Sequence, residues 1–376
     1  MQNLRTGDLS NLDFLRAVAV TLVLCDHLLA KFHVDRLGRV ATNHIGHFGV
    51  LLFFVHTSLV LMYSLERSRM TGTRLLGNFY LRRIFRIYPL SIVAVCITIG
   101  LGLSSTGGHG LVTSPSPSWG QAASNLFLVQ NLTRSDSILG PLWSLPLELQ
   151  MYALLPFLFL LTRRTRALPS LLALWCVAVV VAHFYLRSHA LEQLSLLGYI
   201  PNFLPGVLAY SAWSVFPENR RLAAYWWPGY VLLLIGVYLL RPQTATGWLV
   251  CLVLGLSIPL FKEITTGWLC WISKRVATYS FGIYLAHSFC VWLAFSVLSG
   301  HSVYVRVAVL LLTIITLPVL LYHSIEHPMI QLGGALARVP SPRTAATEVP
   351  APVVTVASQT STEGSQIPVL NVHDAS

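Results

Sequence analysis

Ten apolar runs near the length of a bilayer span recur along the chain, at about residues 12–31, 46–64, 88–104, 147–161, 169–186, 195–215, 227–241, 247–261, 279–298 and 303–322. A hydrocarbon core about 30 Å thick calls for roughly 20 helical residues, with every backbone polar group satisfied inside the segment. One fold class answers that pattern: an all-α integral membrane protein, a bundle of about ten transmembrane helices. Only 10% of the residues are charged, against about 25% in soluble domains, so composition excludes a soluble globular fold.

The formal net charge of +11 is a matter of topology. With the N-terminus inside and ten spans, 17 of the 25 Lys and Arg fall in inner segments, 7 in outer ones, and Arg16 within the first span. That bias follows the positive-inside rule and predicts that both termini are cytoplasmic. No nucleic-acid partner is implied; the expected partner of this surface is the lipid bilayer. Residues 1–338 read as the multi-span membrane domain. Residues 339–376 are rich in Pro, Ser, Thr, Ala and Val without helical period, and read as a disordered cytoplasmic tail. The first run lacks a small-x-small site and is not expected to be a cleaved signal peptide. Six cysteines without a C-x-x-C pair read as packing thiols, and no metal site is expected.

Ionisable residues inside the runs are the candidates for chemistry, because they are costly in lipid unless they face a partner or a wet cavity. In LRAVAVTLVLCDHLLA (15–30), Arg16 and His27 are 11 positions apart. That places them on one helix face, roughly 16 Å apart along the axis. Snorkelling of each to its own headgroup layer is the alternative. His56 lies deeper in the second run, on the opposite face from His47, and reads as a packing histidine or a member of a polar cavity. In FYLRRIFRIYPL, Arg82, Arg83 and Arg86 precede Pro89, which is read as opening the third span. Arg83 and Arg86 are one turn apart and can converge on one anion, or serve as a lipid-anchoring cluster.

The segment 105–141 reads as a long exposed outer loop that leads into PLWSLPLELQMYALLP, where Ser144 is placed to cap a helix and Glu148 to enter the membrane just inside it. His27 and Glu148 are then expected at similar depth. In TYSFGIYLAH, Ser280, Tyr284, His287 and Val291 follow one stripe. Glu326 is expected to pair with an inner arginine, with Pro328 ending the last helix.

The order of LDFLRAVAV…H (12–27), GVLLFFV (49–55), FYLRRIFRIYPL (79–90), PLWSLPLELQMYALLP (141–156), NFLPGVLAY (202–210), TYSFGIYLAH (278–287) and IEHP (325–328) resembles the membrane-bound acyltransferase-3 family of bacteria. The resemblance implies transfer of an acyl group, often acetyl, from cytoplasmic acyl-CoA to a hydroxyl of an extracytoplasmic or membrane-associated glycan or glycosylated small molecule. It also implies residence in the bacterial cytoplasmic (inner) membrane. It carries catalytic interest onto Arg16, His27 and Glu148, donor binding onto Arg82, Arg83 and Arg86, and cavity positions onto Trp143 and Ser144. Tyr284, His287 and His56 are further cavity candidates. One departure stands out: FFVHTSL here puts His56 and Thr57 where the family usually has FFVLSGF.

A sugar hydroxyl needs a base near neutrality, and histidine has the closest unperturbed pKa. Glu148 is expected to orient or stabilise that imidazole. A transient, covalent acyl-histidine is the alternative to the general base, and a secondary transporter the other class. Acceptor, acyl chain and oligomeric state are not legible.

Overall fold

The structure is a computed structural model. It describes residues 9–338 apart from 39, 69, 107–109, 165–166, 189–192, 214–215 and 217–219. The expected tail, 339–376, lies outside the described residues.

A helix underlies the greater part of each of the ten apolar runs, among the described residues. Helix α1 (Ser10–Lys31) leads through a short hairpin, β1 (Arg36–Leu37) and β2 (Val40–Ala41), into α2 (Asn43–Arg67). α2 is apolar on all sides and 78% of its span window is buried, which places it at the centre of the bundle. α1 packs along it, and Gly49 makes the close approach possible: a Cβ there would lie 2.6 Å from the Ala19 carbonyl oxygen.

α3 (Gly72–Gly100) differs from expectation. It begins well before Pro89, which lies inside the helix. The arginine-bearing stretch read as a loop is helical because its apolar residues recur with helical spacing: Leu75, Phe79 and Ile87 are all buried. At 29 residues, α3 spans roughly 43 Å, more than one hydrocarbon core.

The segment 105–141 is also corrected. It holds an antiparallel hairpin, β3 (Leu103–Thr106) and β4 (Gly110–Thr113), then α4 (Trp119–Leu126), α5 (Gln130–Thr133) and a 3-10 turn, Gly140–Ser144. Ser116 is exposed, but Leu128, Ile138 and Leu139 are buried. Buried amides hold the fold: the Ile138 N–H donates to Asn125 Oδ1 (2.9 Å), and Gln130 Nε2 donates to the Leu142 carbonyl (2.9 Å). A Gly/Ser/Pro-rich sequence hides this, because its apolar residues have no period.

The chain continues as α6 (Leu145–Thr162), α7 (Ala167–Arg187), α8 (Leu196–Ala212), α9 (Trp226–Leu240) and α10 (Thr244–Ser257). α11 (Gly267–Trp292) ends in a π-helical turn, Leu293–Val297. α12 (Val303–Leu321) passes through a second π-turn, Tyr322–Glu326, into α13 (His327–Leu336), which packs on α3. Pro328 therefore sits in the first turn of α13 rather than ending the helix, a position where its missing N–H matters least.

Six of the described helical segments are long and apolar enough to cross a membrane by length and composition. The α7 span window is only 22% buried and the α12–α13 window 11%. Much of their unburied surface is Val, Leu, Ile and Phe, which suits hydrocarbon rather than water. The molecule is an all-α membrane protein with two small hairpins.

A hydrogen-bonded knot ties the start of α1 to the loop after α10. Glu263, in the loop after α10, accepts from the Asn11 N–H at 2.8 Å, a carboxylate at a helix N-terminus. Asn11 returns two bonds to the same loop, Nδ2 to the Lys262 carbonyl (3.0 Å) and Oδ1 from the Ile264 N–H (3.1 Å).

Candidate functional site

α1 packs against both α2 and α11, so one face of α1 looks into the space these helices share with α3 and α6. That space contains a cavity of about 90 Å³. Arg16 from α1, His56 from α2, Arg83 and Arg86 from α3, Glu148 and Tyr152 from α6, and Tyr284 from α11 all reach it.

Its charges do not cancel. Arg86 Nη1 lies 2.6 Å from Glu326 Oε1, whose side chain is fully buried. This is the inner-arginine pair expected for Glu326. Glu148 accepts a hydrogen bond from the Tyr152 hydroxyl one turn on. Arg16 and Arg83 have no carboxylate within ion-pair distance among the described residues, and their Nε atoms are buried without a hydrogen-bond partner. Three guanidinium groups thus face two carboxylates, one of which is already paired. His56, 3% exposed, also presents an Nδ1 without a partner. It lies on the cavity wall, the second of the two positions considered for it. Buried polar atoms left this way are costly unless a ligand or water completes them.

Ser144 occupies the N-cap position of α6, but its side chain makes no cap bond. Its hydroxyl instead shares a buried 2.7 Å hydrogen bond with the Tyr284 hydroxyl, tying α6 to α11 across the cavity.

His27 lines a second pocket, of about 100 Å³, with Lys31, Ser288, Trp292 and Ser296, roofed by Gly110–Val112 of β4. His27 Nδ1 lies 2.9 Å from the Val23 carbonyl oxygen. A carbonyl can only accept, so Nδ1 carries the proton of the neutral ring and Nε2 carries the lone pair. The Asp26 carboxylate is 4.0 Å from the same Nδ1.

The two spaces are joined by one turn of α11. The His287 ring meets that of His27 edge to face at 4.5 Å, and lies 6.3 Å from the Tyr284 ring on the Arg16 cavity. The shared face of Arg16 and His27 therefore opens into two spaces rather than one. Glu148 lies with Arg16, and the Val23 carbonyl holds the His27 ring.

The remaining sequence candidates sit apart. Trp143 stacks near His47 (6.3 Å) and Tyr199 (5.7 Å), outside both cavities. Arg82 is exposed and lines a small crevice beside Asn78 and Ser68. Tyr152 and Lys31 were missed as site residues. Tyr152 was detectable, since Glu148 and Tyr152 are four apart on one helix.

A family model for the acyltransferase domain, that of the acyltransferase-3 family, matches residues 9–323. The chain belongs to that family. No curated protein and no solved structure matches it. Both cavities lie within the matched region, and membership makes the protein a membrane acyltransferase in the broad sense.

Proposed function

We propose that the protein is an O-acyltransferase of a bacterial cytoplasmic membrane, with ten spans and both termini cytoplasmic. It takes an acyl group, acetyl in the simplest case, from cytoplasmic acyl-CoA. It places that group on a hydroxyl of an extracytoplasmic or membrane-associated glycan or glycosylated small molecule.

The observation that carries this reading is a pair of guanidinium groups without an ion-pair partner among the described residues, Arg16 and Arg83, in a cavity that one turn of α11, Tyr284 to His287, separates from His27. Guanidinium forks match phosphate oxygens, and the proposed donor carries a diphosphate and a ribose phosphate. Arg82 would meet the donor at the exposed rim of the same helix.

In this scheme His27 Nε2 accepts the proton of the acceptor hydroxyl as its oxygen attacks the thioester carbonyl. The C–O bond forms, the C–S bond breaks, and the coenzyme A thiolate leaves and takes up a proton. Glu148, bonded to Tyr152, offsets part of the mutual repulsion of the arginines and leaves the excess positive charge open to the donor. Tyr284 and His287 lie between the two spaces, where the thioester end of the donor and the acceptor hydroxyl have to meet.

The test is acyl-CoA turnover by the purified protein, with candidate acceptors compared by mass spectrometry. Acceptor-dependent release of free coenzyme A together with an acylated product is the expected result. Donor binding without turnover on any hydroxyl acceptor would remove the proposal.

A further inference from the structure

Beside the His27 pocket runs a groove of about 280 Å³ between α3, α11 and α12, with no polar surface in its lining. It extends from Leu90 to Gly100 along α3 and to Leu101 just past its end, and from Leu285 on α11 to Leu293 in the π-helical turn. Eleven helical residues cover roughly 16 Å along the axis, about half a hydrocarbon core. Trp292 forms part of the wall of both the groove and the His27 pocket.

The pocket at the other side of Trp292 sets polar groups, His27, Lys31, Ser288 and Ser296, among Leu111, Val112 and Val291. Lys31 lies one turn beyond His27, and its ammonium donates to Ser296 Oγ at 3.1 Å. No described carboxylate lies within ion-pair distance of it, and Ser288 adds a second hydroxyl. A cation next to hydroxyl donors fits a phosphate, and an adjoining wholly apolar channel fits a hydrocarbon chain.

We infer that the acceptor is an anionic amphiphile: a hydroxylated headgroup joined through a phosphate to a long hydrocarbon chain. The chain lies in the α3–α11–α12 groove, the phosphate sits at Lys31, and a headgroup hydroxyl reaches His27. The inference rests on the reading of the His27 pocket as the acceptor site. Bilayer hydrocarbon competes for the groove, so the chain mainly fixes depth and raises the local concentration of the headgroup. Selectivity belongs to Lys31.

The test needs no acyl transfer. The full-length protein in phosphatidylcholine nanodiscs is photolabelled with a long-chain alkyl phosphate carrying a mid-chain diazirine. Dodecyl phosphate, dodecanol and inorganic phosphate are the competitors, and labelled peptides are read by mass spectrometry. Labels should concentrate on residues 90–101 and 285–293. A charge-assisted hydrogen bond makes dodecyl phosphate about tenfold the better competitor over dodecanol, with inorganic phosphate weak. Lys31→Gln should bring the two alkyl competitors level. Val93→Trp, which fills the groove, should remove the labels from both segments. Equal labelling of lipid-facing α7, or equal competition by dodecanol in the unaltered protein, would overturn the inference and leave ordinary boundary lipid. Selective labelling without turnover on any acceptor would keep the amphiphile site and remove the acyltransfer reading instead.

Discussion

His27 is the residue on which the proposed chemistry turns, and its local geometry makes that testable. The Val23 carbonyl fixes the tautomer, so replacement by Gln keeps a polar group of similar reach but no titratable lone pair. Removal of a catalytic base costs about 10²–10⁴ in rate. His27→Gln is therefore expected to lose transfer to that extent, with donor affinity retained because His27 does not line the Arg16 cavity. The measurement is acceptor-dependent coenzyme A release set beside donor binding on the same preparation. A rate near that of the unaltered protein would leave His27 a packing residue. Helical arithmetic reached this position from sequence alone, because Arg16 and His27 belong to one continuous helix. It could not divide them between two spaces, since that depends on Tyr284 and His287, which arrive from the far end of the chain.

At the scale of the element, α3 separates two arginines that the sequence presents as equals. Arg86 neutralises a buried glutamate, whereas Arg83 has no ion-pair partner among the described residues. Removing one member of a buried pair costs about 3–5 kcal/mol, since the other charge is left uncompensated. Arg86→Gln should therefore lower the melting temperature, and Arg86→Gln with Glu326→Gln should recover most of the loss. Arg83→Gln should melt normally and show weakened donor affinity, with Lys a poor substitute for the planar fork. Thermal melts and donor titrations on the four proteins decide it. Equal melting of the two single variants would dissolve the distinction. The loop that binds α1 supplies a pH test. Burial pushes the Glu263 carboxyl above its ordinary value, while the Asn11 N–H pulls it back. A carboxyl raised on folding holds its proton more tightly in the folded state, so stability falls as pH rises beyond the usual carboxylate range. Glu263→Gln keeps an acceptor for Asn11 and should flatten that part of the melting curve against pH.

For the whole molecule, the ten apolar runs were legible because burial in lipid demands a local property, a continuous apolar stretch, and a helix underlies the greater part of each run among the described residues. The arginine half of α3 and the folded segment before α6 were not, since neither is a continuous apolar stretch. Both are stabilised by partners far along the chain: Phe85 packs against Gly333 of α13, and the Ser105 N–H donates to the Ile138 carbonyl. The distribution of Lys and Arg predicts a side for each end of the bundle. Two exposed positions report it, Ser116 between β4 and α4 and Thr71 between α2 and α3. Cysteine is placed singly at each in a protein freed of its own six cysteines, and intact cells are treated with a membrane-impermeant maleimide. The Ser116→Cys protein should label on intact cells, and the Thr71→Cys protein only after permeabilisation. The reverse pattern would put the Arg16 cavity on the outer side, away from cytoplasmic acyl-CoA, and the proposed direction of transfer would fall with it.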